Sequence, residues 1–314
     1  MLYLRNIIRV SILCWVMTAC HNQPELEQFM PIMVNSDTNT NSTGRILIVS
    51  HYTMDGDYLK YTLQNHRSYA KKHGYDYWFR NGKIDGGKYL DPRGRNQVFE
   101  LGLYWQKIEA VQQALALIDA SGKPRYDWVM WIDADAFFTN FSIEIENIIN
   151  ELGEDRFLAI SRDFPTSDCV NAGVWIMKNN SSAKQFLNSV SALYPAFKSH
   201  FWPEQQAMQD LIYGYITQND IAHGTIPKWQ RRSCEEDRVI EGVKVFPQRK
   251  LNAFYSRFSL KVEEAAWQPG DYIAHLAGEP DRLNLIKRLT ACMRAKEQSL
   301  QGCEVNGTWS PEGK

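Results

Sequence analysis

The chain has 314 residues, with 35 Lys and Arg against 36 Asp and Glu and a formal net charge of −1 at pH 7. Near-neutrality removes the basic face that a general nucleic-acid binder needs to meet phosphates, and equally the case for an acidic solvating tail. At 44% hydrophobic and 23% charged residues the composition excludes a disordered or low-complexity chain and leaves ample material for a buried core. Ten Trp and fifteen Tyr allow stacking on sugars or bases, beside their commoner use in core packing.

Arg5 and Arg9 precede the apolar run from Val10 to Cys20. That run falls short of the about 20 residues of a membrane-spanning helix. A basic start with a short apolar centre predicts a signal anchor or signal peptide over 1–20. Met17-Thr18-Ala19-Cys20 also has the shape of a lipoprotein cleavage site, which would attach a lipid through Cys20. Residues 21–44 are polar and turn-rich, closing on Asn35-Ser36-Asp37-Thr38-Asn39-Thr40-Asn41-Ser42-Thr43-Gly44, and predict a disordered stem. The folded domain is then 45–314. The six Cys show no zinc-type spacing and suit an oxidising lumen, where Cys292 and Cys303 could pair. Sequons at Asn41, Asn140, Asn179, Asn180 and Asn306 fit a secreted chain.

From Ile46 onward strands alternate with helices. Ile46-Leu47-Ile48-Val49-Ser50 reads as a strand covered on both faces. Tyr58 to His73 reads as a helix capped by Gly74, followed by a strand over Tyr75–Phe79 and a Gly/Asp/Lys-rich loop over Asn81–Asn96. Ile108, Val111, Leu115 and Ile118 recur at helical spacing, and Gly122-Lys123-Pro124 is expected to end that helix. Trp128-Val129-Met130-Trp131-Ile132 is a wholly apolar strand. This alternation predicts an open, mostly parallel α/β sheet in one catalytic domain.

Asp133 and Asp135 follow that strand directly. If the chain stays extended there, a period of two sets both carboxylates on one face. Two anions leaving a core repel and resist desolvation unless a cation compensates, and a hard divalent ion such as Mn²⁺ or Mg²⁺ is the natural partner. The strand's carboxyl end is also where open α/β sheets bind ligands. The plainer alternative is a turn in which both Asp cap Ala136-Phe137-Phe138. Asn171-Ala172-Gly173-Val174-Trp175-Ile176-Met177 reads as a core strand in which Gly173 permits close approach. Trp202-Pro203-Glu204-Gln205 opens a helix with Pro at its first position, where Glu204 would at least complement the dipole. Asp271 to Gly278 reads as a short strand ending His275-Leu276-Ala277-Gly278.

Taken in order, these segments resemble family 34 glycosyltransferases, which include plant xyloglucan xylosyltransferases and fungal α-galactosyl- and α-mannosyltransferases. The resemblance runs from about Ile46 to Gly278. Its carriers are Asn65-His66-Arg67-Ser68-Tyr69-Ala70-Lys71-Lys72-His73-Gly74-Tyr75, Trp105-Gln106-Lys107-Ile108, the Asp133-Ala134-Asp135 strand end, Asn171-Ala172-Gly173, Glu204-Gln205 with Ala207, and His275-Leu276-Ala277-Gly278. It implies a GT-A fold, a divalent metal, a nucleotide-sugar donor and retention at the anomeric carbon. By matching position, Asp133, Asp135 and His275 would hold the metal, with Asp133 also reaching the ribose. Lys107 would neutralise the diphosphate or orient an acid, Glu204 and Gln205 would line the reacting sugar, and Asn171, Ala172 and Gly173 would shape the pocket. This chain departs from the pattern after Gly278, where Glu279-Pro280-Asp281-Arg282 stands in place of Cys and basic residues. A diphosphate contact there would be missing, or moved to Arg282 or Lys287.

The expected reaction moves a hexose or pentose, galactose or xylose favoured, from a UDP-sugar to a glycan or glycoprotein acceptor. A GDP-mannose-dependent transferase and a catalytically degenerate glycan-binding subunit are the alternatives. Haloacid-dehalogenase-type phosphatases also place Asp-x-Asp after an apolar strand. They want Thr or Val where this chain has Phe137, and their motif opens the domain. No nucleic-acid partner is expected, and a homo- or hetero-oligomer is compatible with the sequence. A lumen supplied with nucleotide sugars favours a single-pass type II Golgi protein over a secreted or Cys20-lipidated one.

Overall fold

The computed structural model describes residues 44–52, 56–81, 88–90, 98–100, 104–164, 169–228, 233–255 and 264–297. The expected leader over 1–20, the stem up to residue 43, the Cys292–Cys303 pair and the sequons at Asn41 and Asn306 lie outside what these residues describe.

The described residues open with β1 (Ile46–Tyr52), α1 (Leu59–His73) and β2 (Asp76–Asn81). Gly74 ends α1 at φ 74°, a left-handed conformation that glycine adopts without penalty, and its N–H caps Ala70 O. A hairpin of β3 (Lys88–Leu90) and β4 (Val98–Glu100) follows, then α2 (Gln106–Ala116), β5 (Trp128–Ile132) and β6 (Ala136–Phe138). Next come α3 (Ile145–Leu152), β7 (Leu158–Ser161), β8 (Asn171–Lys178), α4 (Ser181–Ala192) and α5 (Pro203–Ile212). The described chain closes with β9 (Val243–Phe246), β10 (Ala253–Phe254), β11 (Ile273–His275) and α6 (Arg282–Glu297).

Six strands form the main sheet in the order β2-β1-β5-β8-β7-β9. All neighbours run parallel except at β8, which is antiparallel to both β5 and β7. Alternate residues serve opposite faces. Leu47, Val49, Val129 and Trp131 join one core with α2 and α4, while Ile46, Ile48, Met130 and Ile132 join a second core with α1 and α3. A smaller sheet, ordered β10-β11-β6, stands beside it. Reversal of β8 brings its first residues to the edge where β5 and β7 end.

Three expectations change. The loop over Asn81–Asn96 contains β3, because two three-residue strands are too short to carry a periodic signal. The helix through Ile118 ends at Ala116, with Leu117 already extended at ψ 132°. Ile118 is 64% exposed, outside the core. Asp119 accounts for this: its Oδ1 accepts from the Ser121 and Lys123 amides at 2.8 and 3.2 Å, a local turn that outcompetes the next helical turn. Finally, Asp133-Ala134-Asp135 is a turn, closed by Ala136 N donating to Asp133 O at 3.0 Å, and is not extended.

The sequons within the described residues are engaged structurally. Asn140 Nδ2 donates to Gly270 O at 2.8 Å, Asn179 Nδ2 to Leu115 O and Tyr126 O at 3.2 and 2.8 Å, and Asn180 Oδ1 caps α4. A bridge not anticipated, Cys169–Cys234, ties the entry of β8 to the segment before β9.

Candidate active site

Although Asp133 and Asp135 sit in a turn, their carboxylates still converge. Asp133 N donates to Gly173 O at 2.8 Å, keeping the end of β5 against β8. The turn then sends β6 back to pair antiparallel with β11, with His275 opposite Ala136. His275 Nε2 lies 3.2 Å from Asp135 Oδ1 and 4.0 Å from Asp133 Oδ2. Ligand atoms of Asp133, Asp135 and His275 all fall within 4.8 Å of one another. Gly173 makes room for this: a Cβ there would collide with the His275 ring and with Asn171 Oδ1. The close approach expected at Gly173 is therefore that of the imidazole.

Lys107, the second residue of α2, is buried behind the cluster. Its Nζ reaches Asp133 Oδ1 at 3.1 Å, Glu204 Oε1 at 3.0 Å and Ala172 O at 3.1 Å. Three partners match the three N–H bonds of an ammonium, so Lys107 orients acids and keeps no donor free. Burial works against its charge, but Asp133 and Glu204 outweigh burial and raise its pKa. Glu204 lies in the first turn of α5, a helix buried along its whole length from Pro203 to Ile212. Burial raises its carboxyl pKa, with Lys107 pulling the other way. Its Oε2 is buried with no hydrogen-bond partner. Trp131 Nε1 donates to Asp133 Oδ1 at 2.7 Å.

Arg282 has a partner of its own: Nε and a terminal nitrogen both lie 3.0 Å from Asp135 Oδ2. Burial would raise the Asp135 pKa, yet His275 and Arg282 outweigh it and hold the carboxyl well below its ordinary range. Lys287 is exposed on α6.

Gln205 and Asn171 belong to a second buried network. Gln205 Oε1 accepts from Ala172 N at 3.0 Å, and its Nε2 donates to Asp163 Oδ2 at 3.1 Å. Asn171 Nδ2 donates to Asp163 Oδ1 at 2.9 Å, while its Oδ1 accepts from Gly173 N and Asn252 Nδ2. Sequence reasoning missed Asp163. Its signal was there: like Asp133, it follows the end of an apolar strand, β7.

Comparison with known proteins now bears on this geometry. Residues 40–152 match the model of the galactosyl transferase GMA12/MNN10 family. The family resemblance read from α1, Lys107 and the Asp-x-Asp turn is borne out over that stretch, and the family is one of glycosyltransferases. An uncharacterized alpha-1,2-galactosyltransferase of Schizosaccharomyces pombe is 23% identical over 256 residues, covering 70% of this chain and 56% of the relative. A probable glycosyltransferase of Oryza sativa subsp. japonica is 28% identical over 148 residues, 45% of this chain and 26% of the relative. The chain thus spans about half or less of these relatives. A solved glycosyltransferase involved in glycosylation of the major capsid of PBCV-1 superposes with a TM-score of 0.52 at 18% identity, covering 79% of this chain and 99% of its own. That likeness establishes the GT-A-type fold.

Proposed function

We propose that the chain is a metal-dependent, retaining glycosyltransferase that moves a hexose or pentose, galactose first, from a UDP-sugar to a glycan acceptor. The observation that carries this reading is the convergence of Asp133, Asp135 and His275 where β5 ends and β8 begins. Two carboxylates and an imidazole form a donor set that suits Mn²⁺ or Mg²⁺. Charge agrees. Among the described residues the three carboxylates of Asp133, Asp135 and Glu204 are paired with two permanent cations, Lys107 and Arg282, which leaves one formal negative charge for a metal ion to offset.

Asp133, Asp135 and His275 would hold the ion, which when bound stabilises the negative charge growing on the diphosphate leaving group. Lys107 fixes the Asp133 and Glu204 carboxylates relative to one another. Glu204 Oε2, buried and without a hydrogen-bond partner, would serve the reacting sugar as acceptor for a hydroxyl or as nucleophile once substrate reached it. Arg282 supplies a cation beside Asp135 that can shift toward a bound diphosphate. The Asp163–Gln205–Asn171 network sets the wall behind Glu204. The disulfide supports a reaction in an oxidising compartment such as the Golgi lumen, with the N-terminal segment as anchor.

The test screens the purified full chain against UDP-galactose, UDP-xylose, UDP-glucose and GDP-mannose, with Mn²⁺ or with chelator, beside Asp135→Asn. Metal-dependent UDP release from one sugar, lost in Asp135→Asn, supports the proposal. Turnover of GDP-mannose alone refutes the UDP assignment. Folded protein with neither donor binding nor turnover refutes catalysis and leaves a glycan-binding subunit.

A further inference from the structure

Helix α1 carries the densest part of the family resemblance, yet none of its residues entered the site just described. Its polar side chains Thr62, Asn65, His66, Tyr69 and His73 recur at the spacing of one helical face, whereas Arg67 and Ser68 between them are exposed. That face lies against the backbone running out of the Asp-x-Asp turn. Thr62 Oγ1 donates to Ala134 O at 2.8 Å. His66 Nε2 donates to Ala136 O at 2.8 Å. Asn65 donates to Phe138 O and accepts from Phe138 N, both at 2.9 Å.

The Ala136 and Phe138 carbonyls alternate along β6 and so point from a single edge of it, and the Ala134 carbonyl, in the turn just before, meets the same helix face. The opposite edge of β6 pairs with β11, and β6 is the last strand of its sheet among the described residues. An edge strand presents carbonyls and amides that need partners once water is excluded. A helix spends its own amides internally, so only side chains can answer them. Residue chemistry fits that demand. A hydroxyl and an imidazole N–H serve isolated carbonyls, and one amide side chain serves both polar groups of Phe138, as a neighbouring strand would. Burial lowers the His66 pKa to about 4, against its hydrogen bond to Ala136, so the ring stays neutral with Nε2–H as donor at neutral pH.

We propose that Thr62, Asn65 and His66 are positioning residues for the metal cluster, a rack of side chains that takes the place of a strand and sets the Asp133–Asp135–His275 separation. This rests on the metal reading of that cluster. Ala134 lies between the two carboxylates, and because its peptide is planar, fixing its carbonyl direction also fixes where Asp135 begins. The opposite edge carries that setting to the third ligand: Leu276 N donates to Asp135 O at 2.9 Å, and His275 pairs with Ala136. Thr62 and His66 are buried behind the turn, and act on the ion only through the backbone. Tyr69 differs. Its hydroxyl bonds Ile143 O and Tyr272, past the end of β6 and away from the carboxylates.

The test is Mn²⁺ titration of the full chain by electron paramagnetic resonance, with the melting temperature recorded for every variant. Thr62→Val should bind Mn²⁺ about tenfold more weakly, the lower range for partners that orient metal ligands. Thr62→Ser, which keeps the donor, should bind like wild type. Tyr69→Phe should lower the melting temperature and leave Mn²⁺ affinity unchanged. His66→Leu, with His66→Gln as its rescue, repeats the comparison at Ala136 should Thr62→Val not fold. Wild-type affinity in folded Thr62→Val and His66→Leu overturns the rack while leaving the metal reading intact. Equal loss of affinity in Tyr69→Phe also overturns it, since affinity would then follow stability alone. A wild-type chain that binds no Mn²⁺ overturns the metal reading itself, and the rack with it.

Discussion

Lys107 offers the sharpest quantitative test of the site. Its ammonium lies 3.1 Å from Asp133 and 3.0 Å from Glu204. At an effective dielectric of about 20, a pair at that distance attracts by about 5 kcal/mol before desolvation is counted. Lys107→Met retains most of the apolar stem and removes the charge, leaving two carboxylates facing each other and a buried Glu204 without its cation. Breaking a buried pair in this way costs about 3–5 kcal/mol. For a domain of this size that corresponds to a melting temperature lower by roughly 10 °C. The loss should also depend on pH. Glu204 already has a raised pKa from burial, offset by Lys107, and in the variant that offset is gone. A carboxyl whose folded pKa exceeds its unfolded value contributes most stability below the unfolded pKa and loses it as pH rises through the folded pKa. Lys107→Met should therefore recover stability between pH 7 and pH 5 relative to wild type, and adding Glu204→Gln should recover part of it at pH 7. Urea unfolding at both pH values is the assay. A variant within about 1 kcal/mol of wild type at pH 7, with no recovery at pH 5, would refute the account of a buried Lys107–Glu204 pair.

Two further predictions follow from close contacts. Gly173→Ala pushes a methyl group into the His275 ring, so Mn²⁺ affinity measured by titration should fall at least about tenfold while the circular dichroism spectrum is preserved. The Cys169–Cys234 bridge closes a separation of 65 residues, which the chain-entropy model values at about 4 kcal/mol. Reductant should accordingly lower the melting temperature of wild type by more than that of Cys169→Ala/Cys234→Ala.

Much of this was legible in the sequence where one physical rule acted alone. Trp128–Ile132 is a strand with the expected ends, because five apolar residues bounded by polar ones leave little choice. Gly74 caps α1 and Pro203 opens α5, because each fits a backbone position that few residues suit. Asp133, Asp135 and His275 meet through the turn that was the plainer alternative to an extended dipeptide, followed by a returning strand that the sequence did not reveal. The direction of β8 was illegible, since a strand buried on both faces reads the same either way. The end of α2 was hidden because Asp119 acts through a side-chain hydrogen bond that hydrophobic spacing does not register. Asp163 had a signal in its place after an apolar strand, but its bonds to Asn171 and Gln205, which give it its value, appear only once the fold brings them together.

The burial of α5 on every side has a consequence for how such a site can change. Glu204, Gln205, Gln206, Gln209 and Asp210 are all buried there, and Gln206 Nε2 already bonds Asp210 Oδ1 at 2.8 Å. A solitary substitution on that helix would strand a polar partner away from water. Variation along it should therefore come in matched pairs, giving its polar positions the slow, correlated drift of a hydrophobic core.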